Sequence, residues 1–391
     1  VSAAEIATIG VLGGGQLGKM LAQAGGPLGL EFRFLDPSHE ACAGPLGELI
    51  VGDYADRTSL ERLAGADVVT YEHEHLPAES VEWLAERTVV RPGGRSLREV
   101  QNRVTQRRLL SRVGVGQADH VVIDDREIAK RGGGEQALRS AVERIGAPGI
   151  LKTATGGYDG KGQFRIESSH QCAEAWSALN PETAVYERFV DFERELSIVG
   201  VRGADGAKRF YPIIESVHER GILVQTIAPA PGEAEVVRSL QAQAESHVSA
   251  IVDELGHIGA FALELFQIPG HAGPRVIANE FAGRVHNTGH WTIEGAETSQ
   301  FANHLRAITG RDLGSTAMSV GASAMMNFIG ALPDEAQIAS FNQAGAFYHD
   351  YGKRPAPGRK VGHVTVCAPD SRALHGRFEA LSLTRGTCRT R

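Results

Sequence analysis

Apolar residues fall first into short continuous runs and later into longer ones, and the change divides the chain. Residues 6–12 are an apolar run that enters Gly13-Gly14-Gly15-Gln16-Leu17-Gly18; residues 19–24 start a helix, and residues 32–35 form a second run ending at Asp36-Pro37. Strand, tight turn, helix and strand make a β-α-β unit. Strand-like runs at 48–51 and 68–71 alternate with helical stretches at 57–63 and 79–86, so the first hundred residues predict a parallel α/β sheet. A linking helix is predicted over 101–112, polar on most faces, with Val104, Leu109 and Leu110 turned inward. Strands at 120–123 and 150–153 then flank a helix at 135–144. Long strands at 184–189, 193–201, 208–214, 258–266 and 275–281 predict an antiparallel arrangement. From about residue 309 a smaller segment carries strands at 325–329 and 360–367.

A chain of 391 residues exceeds the size at which one core keeps growing, so two or three domains are expected. A net charge of -7 gives no field that would draw the protein to nucleic acid or an anionic membrane, so any anionic ligand must be held by local cations. Cys42, Cys172, Cys367 and Cys388 lie far apart without metal-type spacing, which fits a reducing cytoplasm. No basic-then-apolar leader is legible near the start. The longest uncharged run, 313–333, is interrupted by Gly, Ser, Thr and Asn and does not read as a membrane span.

Gly13-x-Gly15-x-x-Gly18 after a strand, with Asp36 closing the next strand, satisfies the dinucleotide fingerprint. A tight turn that merely needs residues without a Cβ is the plain alternative. A helix start also suits the phosphate of a smaller substrate, with the Gln16 amide beside its backbone donors.

Lys152 ends an apolar strand and precedes Thr155-Gly156-Gly157-Tyr158-Asp159-Gly160-Lys161-Gly162-Gln163. The glycines give a loop whose backbone donors can fold over phosphates while Lys152 and Lys161 offset their charge; a hairpin turn is the structural alternative. Glu187-Arg188-Phe189-Val190 and Glu195 sit where one strand ends and another begins, suited to an adenine edge and ribose hydroxyls. Glu264 lies within Phe261-Ala262-Leu263-Glu264-Leu265-Phe266, where an unpaired carboxylate is costly. With Asn279-Glu280 on the following strand it offers the oxygen ligands that Mg²⁺ prefers alongside nucleotide phosphates; a salt bridge to Arg275 or Arg284 is the alternative. His286 and His290 stand at i, i+4, but Asn287 and Gly289 argue against the regular helix a zinc pair needs.

These motifs, together with Thr70-Tyr71-Glu72-His73-Glu74, Tyr351-Gly352-Lys353 and Arg359-Lys360-Val361-Gly362-His363-Val364-Thr365, resemble the N5-carboxyaminoimidazole ribonucleotide synthetase family of the ATP-grasp superfamily over nearly the whole chain. The resemblance implies an α/β protein with an ATP-grasp fold. A Rossmann-like pre-ATP-grasp domain over 1–104 would bind substrate phosphate, an ATP-grasp domain over 105–308 would hold ATP and Mg²⁺, and a small β-rich domain over 309–391 would complete the ribonucleotide site.

It further implies that Arg103, Lys152, Gly157, Tyr158, Asp159, Gly160, Lys161, Gly162, Gln163, Glu187, Arg188, Phe189, Val190, Glu195, His218, Asn279 and Glu280 contact ATP. Glu264 and Glu280 would ligate Mg²⁺, with Mn²⁺ an admissible substitute. Gln16, Tyr158, Asp159, Lys161, Arg284, His286, Asn287, Lys353, Arg359 and Lys360 would bind aminoimidazole ribonucleotide. Lys152, Arg284 and Lys353 would act in catalysis, with bicarbonate as co-substrate and a homodimer as the assembly. Gly283 stands where the family usually has Pro, and Ser216 where it has Asn. The rivals are an NAD-linked oxidoreductase, another ATP-grasp enzyme acting on biotin or formate, and a silent nucleotide-binding regulator.

Overall fold

Short continuous apolar strands suit a sheet covered on both faces. In the computed structural model, which describes residues 7–157, 161–271 and 273–381, β1 (Thr8–Leu12), β2 (Glu31–Asp36), β3 (Glu48–Val51), β4 (Val68–Tyr71) and β5 (Val89–Val90) build such a sheet. Its order is β3-β2-β1-β4-β5 with every pairing parallel. The order reverses between β1 and β4, and an open parallel sheet offers its ligand crevice beyond the strand ends at such a point. The first glycine loop leaves β1 there, and Glu72-His73-Glu74 leaves β4.

The helix predicted over 101–112 forms over Arg103–Arg112, set off from a preceding helix by Asn102, which is extended (φ -127°, ψ 118°). Asn102 ends Gly94–Gln101 and caps Arg103–Arg112 by accepting the Val104 N–H at 2.8 Å. Val104, Leu109 and Leu110 face inward as expected. A four-stranded antiparallel sheet follows: β6 (His120–Ile123), β7 (Gly149–Thr153), β8 (Gln163–Ile166) and β9 (Ala184–Arg188), in the order β6-β9-β7-β8.

The largest sheet has nine strands among the described residues: β10 (Arg194–Arg202), β11 (Lys208–Phe210), β12 (Ile214–Glu219), β13 (Ile222–Ala228), β14 (Gly259–Ile268), β15 (Arg275–Ala282), β16 (Ala322–Ile329), β17 (Phe347–Asp350) and β18 (Lys360–Ala368). The strand expected over 208–214 is split in two at Pro212, which has no N–H for a ladder. Two of the elements outside the expectation matter most here. One is β13, joined to β12 by Arg220-Gly221, both at positive φ (51° and 77°) as a two-residue hairpin requires. The other is the helix Ala234–Leu255, whose Leu240, Ala244, Val248, Ile251 and Leu255 pack on Leu196, Ile198, Leu263 and Leu265; cutting one of these leucines to Ala costs about 2–5 kcal/mol. β16 pairs with β13, so the strands beyond residue 309 continue the same sheet.

Two buried histidines stitch the parallel sheet to the large one. His304 Nδ1 accepts the Ala260 N–H at 3.0 Å, which leaves Nε2–H to meet Thr70 Oγ1 at 2.9 Å; His257 bridges Ala260 O (2.9 Å) and Ser96 Oγ (3.1 Å). Burial pushes their pKa values down, to about 3 for His304 and about 4 for His257, so both are neutral near pH 7. No described helix is long and apolar enough to cross a membrane.

Candidate active site

A cleft of about 1190 Å³ opens where the three sheets meet. Every described residue assigned to a site above lines it except Gly162; Tyr158, Asp159 and Gly160 lie outside the described residues. Gly162, at φ +69°, closes the turn by accepting the Thr153 N–H at 2.9 Å.

On one side stand residues of the four-stranded sheet. Lys152, only 6% exposed, and Glu187, 4% exposed, come from the paired strands β7 and β9, and Lys152 Nζ donates to Glu187 Oε2 at 2.8 Å. Arg107 completes the cluster from its helix, with Nε 2.7 Å and Nη2 2.6 Å from Glu187 Oε1. Burial alone would raise the Glu187 pKa, but Arg107 and Lys152 hold it down to about 2. Sequence reasoning missed Arg107; its signal was the i, i+4 spacing from Arg103 on the helix face that carries Val104. Arg103 donates to Thr153 O at 2.9 Å and lies against Gly157, where a Cβ would collide with its guanidinium.

On the floor, β14 and β15 place Glu264 opposite Glu280, and a bulge immediately after this pair leaves Asn279 without a partner on β14. The bulge lets the consecutive residues Asn279 and Glu280 both line the cleft. The Glu264 pKa is pushed up to about 7, first by burial and then by the negative charges of Glu280 and Glu195, with His218 opposing. A carboxylate pair whose charge is this poorly compensated fits a divalent cation, and two ligands match an ion that takes its remaining oxygens from nucleotide and water. The alternative salt bridge does not form as expected: Arg284 pairs with Glu74 instead, Nε to Oε2 at 2.7 Å. His218 lies between Glu195 (2.9 Å) and Glu264 (3.9 Å); the nearer contact is electrostatic, because its alignment is too poor for a hydrogen bond. Ser216, at one of the two departures from the family pattern, pairs its hydroxyl with Ser197 Oγ at 2.8 Å.

His286 and His290 do not form a pair. His286 Nε2 lies 3.6 Å from Glu264 Oε1, whereas His290 is buried between Phe301 and His363. Asn287 exchanges amide hydrogen bonds with Asn327 at 2.6 and 3.1 Å. Opposite, Lys353 Nζ donates to Gln16 Oε1, joining two residues 337 positions apart. Arg359 and Lys360 line the same end of the cleft.

The first glycine loop requires a correction. Its backbone donors were expected to face a phosphate, but Glu72 accepts from the Gly15 N–H and, at 2.7 Å, from the Gly18 N–H, while Asp36 accepts from the Gly14 N–H at 2.8 Å. A Cβ at Gly15 would stand 2.5 Å from Glu72 Oε1, so the glycine makes room for the protein's own carboxylate. The dinucleotide fingerprint is thus filled from within, and Gln16 reaches the cleft through its side chain.

Three family models match in sequence order: a ribonucleotide synthetase preATP-grasp domain over residues 6–101, an ATP-grasp domain over 115–301, and a phosphoribosylaminoimidazole carboxylase C-terminal domain over 323–377. The N5-carboxyaminoimidazole ribonucleotide synthase of Pseudomonas aeruginosa is 44% identical over 371 residues, which cover 95% of this chain and 97% of that protein. Among solved structures, the N5-carboxyaminoimidazole ribonucleotide synthetase from Thermus thermophilus has a TM-score of 0.87 at 44% identity, covering 96% of this chain and 98% of that one. The N5-carboxyaminoimidazole synthase from Aspergillus clavatus, in complex with ADP and 5-aminoimidazole ribonucleotide, has a TM-score of 0.85 at 29% identity, covering 97% and 100%.

Proposed function

The chain belongs to the N5-carboxyaminoimidazole ribonucleotide synthase family, and on that premise we propose that this ATP-dependent ligase joins bicarbonate to the amine of 5-aminoimidazole ribonucleotide by way of carboxyphosphate, in purine biosynthesis. The observation that carries the reading is the single cleft in which the Glu264–Glu280 pair faces Arg284 and Lys353. A phosphoryl donor on one side and an anionic acceptor on the other then share one enclosed volume.

Bicarbonate is a poor electrophile at neutral pH. An oxygen of bicarbonate attacks the γ-phosphorus of ATP, ADP leaves, and the carbon gains a phosphate leaving group. The ribonucleotide amine then bonds to that carbon, the carbon–oxygen bond to phosphate breaks, and the amine gives up a proton. Glu264 and Glu280 would hold Mg²⁺, which when bound offsets phosphate charge. Lys152 and Lys161 support the same phosphates. Arg284, held by Glu74, orients the anionic carboxyl group. Lys353, Arg359 and Lys360 hold the ribonucleotide, and neutral His286, its pKa driven well down by burial, lines the cleft beside them without adding a charge.

The test is a coupled ADP-release assay with ATP and bicarbonate across acceptors. Strong stimulation by aminoimidazole ribonucleotide, and none by biotin or formate, is expected. Stimulation by biotin or formate instead overturns the proposal.

A further inference from the structure

Neither the sequence reading nor the family likeness gives Arg107 a role, yet it meets Glu187 of the nucleotide wall directly and Lys152 through it. Its Nε and Nη2 both approach Glu187 Oε1, at 2.7 and 2.6 Å, while Lys152 takes Oε2 at 2.8 Å. Lys152 and Glu187 line the cleft; Arg107, 3% exposed, stands behind them. Its Nη1 has no hydrogen-bond partner among the described residues, so the side chain's polar contacts there are with Glu187 alone.

The charges decide what this arrangement can do. A Lys152–Glu187 pair by itself is neutral and would offer little to a polyanion in the cleft. With Arg107 added, the buried cluster carries one net positive charge, and the cation that faces the cleft is Lys152. The guanidinium brings two donors, Nε and Nη2, to the same Glu187 oxygen from behind.

We propose that Arg107 is a positioning residue for nucleotide binding: by neutralising Glu187 it leaves the Lys152 ammonium available to the nucleotide phosphates. This rests on the nucleotide role given to Lys152 above. The alternative is a structural cross-link between the helix Arg103–Arg112 and the four-stranded sheet, which would affect stability and leave affinity alone.

The test is calorimetric titration of the full-length protein with Mg-ADP, alongside steady-state KM values for ATP and ribonucleotide. Arg107→Met should weaken Mg-ADP binding about tenfold or more, and leave the ribonucleotide KM within about twofold. In a Glu187→Gln background, where no carboxylate is left to neutralise, the same substitution should cost less than about threefold. Equal losses in both backgrounds, or no loss in either, overturn the proposal. Arg107→Lys keeps the charge without the fork and serves if Arg107→Met does not fold; it should bind Mg-ADP within about threefold of wild type, and a loss of about tenfold overturns the proposal. A protein that binds Mg-ADP as described but is stimulated by another acceptor overturns the proposed function and leaves this inference standing.

Discussion

On the side of the cleft proposed for the nucleotide, Lys152 and Glu187 come from strands paired in one small sheet and are balanced by Arg107 from the preceding helix. On the side proposed for the acceptor, Gln16, Glu74, Arg284 and Lys353 come from four distant parts of the chain and meet only because the sheets dock. The first wall is held by strand register, and the second by the packing of separate layers. Damage to docking should therefore reach ribonucleotide use before nucleotide binding, and four experiments bear on that difference.

The largest effect belongs to the floor shared by both walls. Glu264→Gln or Glu280→Gln should reduce ADP release at saturating Mg²⁺ by about 100-fold or more, because each removes a charge that serves phosphoryl transfer. The thermal midpoint should hold or rise, since like-charge repulsion is relieved. Turnover near wild type in either variant would break the metal assignment.

Next, Lys353→Ala and Arg359→Ala should raise the ribonucleotide KM about 10- to 100-fold, in line with the loss of a charge-assisted hydrogen bond of about 1.5–3 kcal/mol. Mg-ADP affinity measured by calorimetry should stay unchanged. A parallel loss of nucleotide affinity would erase the distinction between the walls.

A smaller cost is expected at the glycine loop. Glu72→Gln would turn an amide donor toward one of the Gly15 and Gly18 N–H groups, at a cost of about 2 kcal/mol read from urea unfolding. Because Gln16 begins that helix, ribonucleotide use should weaken along with stability. A variant of unchanged stability would mean that the Glu72 cap contributes nothing.

The smallest effect is a pH dependence at the docking seam. His257 and His304 have folded pKa values of about 4 and about 3, below the usual 6.5, so each favours the neutral form in the fold. Their contribution is complete above pH 6.5 and is lost as pH falls through the folded values; between pH 7 and pH 6 the two together should cost about 1 kcal/mol. Urea midpoints across that interval should fall, and fall less in His304→Asn. An identical slope in the variant would remove the seam from the account.

Lys152 on one wall and Glu264 on the floor were legible because a charge in an apolar strand has to be explained, and both stand in such strands. Arg107 was not read, since its i, i+4 spacing from Arg103 marks a helix face but not the carboxylate 80 residues away that it meets. Beyond Gln16, the acceptor wall followed from family likeness, because nothing local to Gln16 points to Lys353. The glycine loop was read correctly as a strand-to-helix turn and incorrectly as a phosphate cradle: its pattern records that a Cβ is excluded, and the excluding group, Glu72, sits at the end of a different strand. The missed helix Ala234–Leu255 had a legible 3.6-residue stripe at Leu240, Ala244, Val248, Ile251 and Leu255.

The nine-stranded sheet has a mechanical consequence. A hydrogen-bonded ladder resists bending across its strands, and this one runs unbroken from β15 through β13 to β17, so the floor and the last segment of the chain move as one plate. Among the described residues the four-stranded sheet shares no ladder with that plate, and the isolated bridge beside it joins Gln117, just ahead of β6, to Ala278. A displacement of the small sheet against the plate would thus have one bridge to break and no ladder.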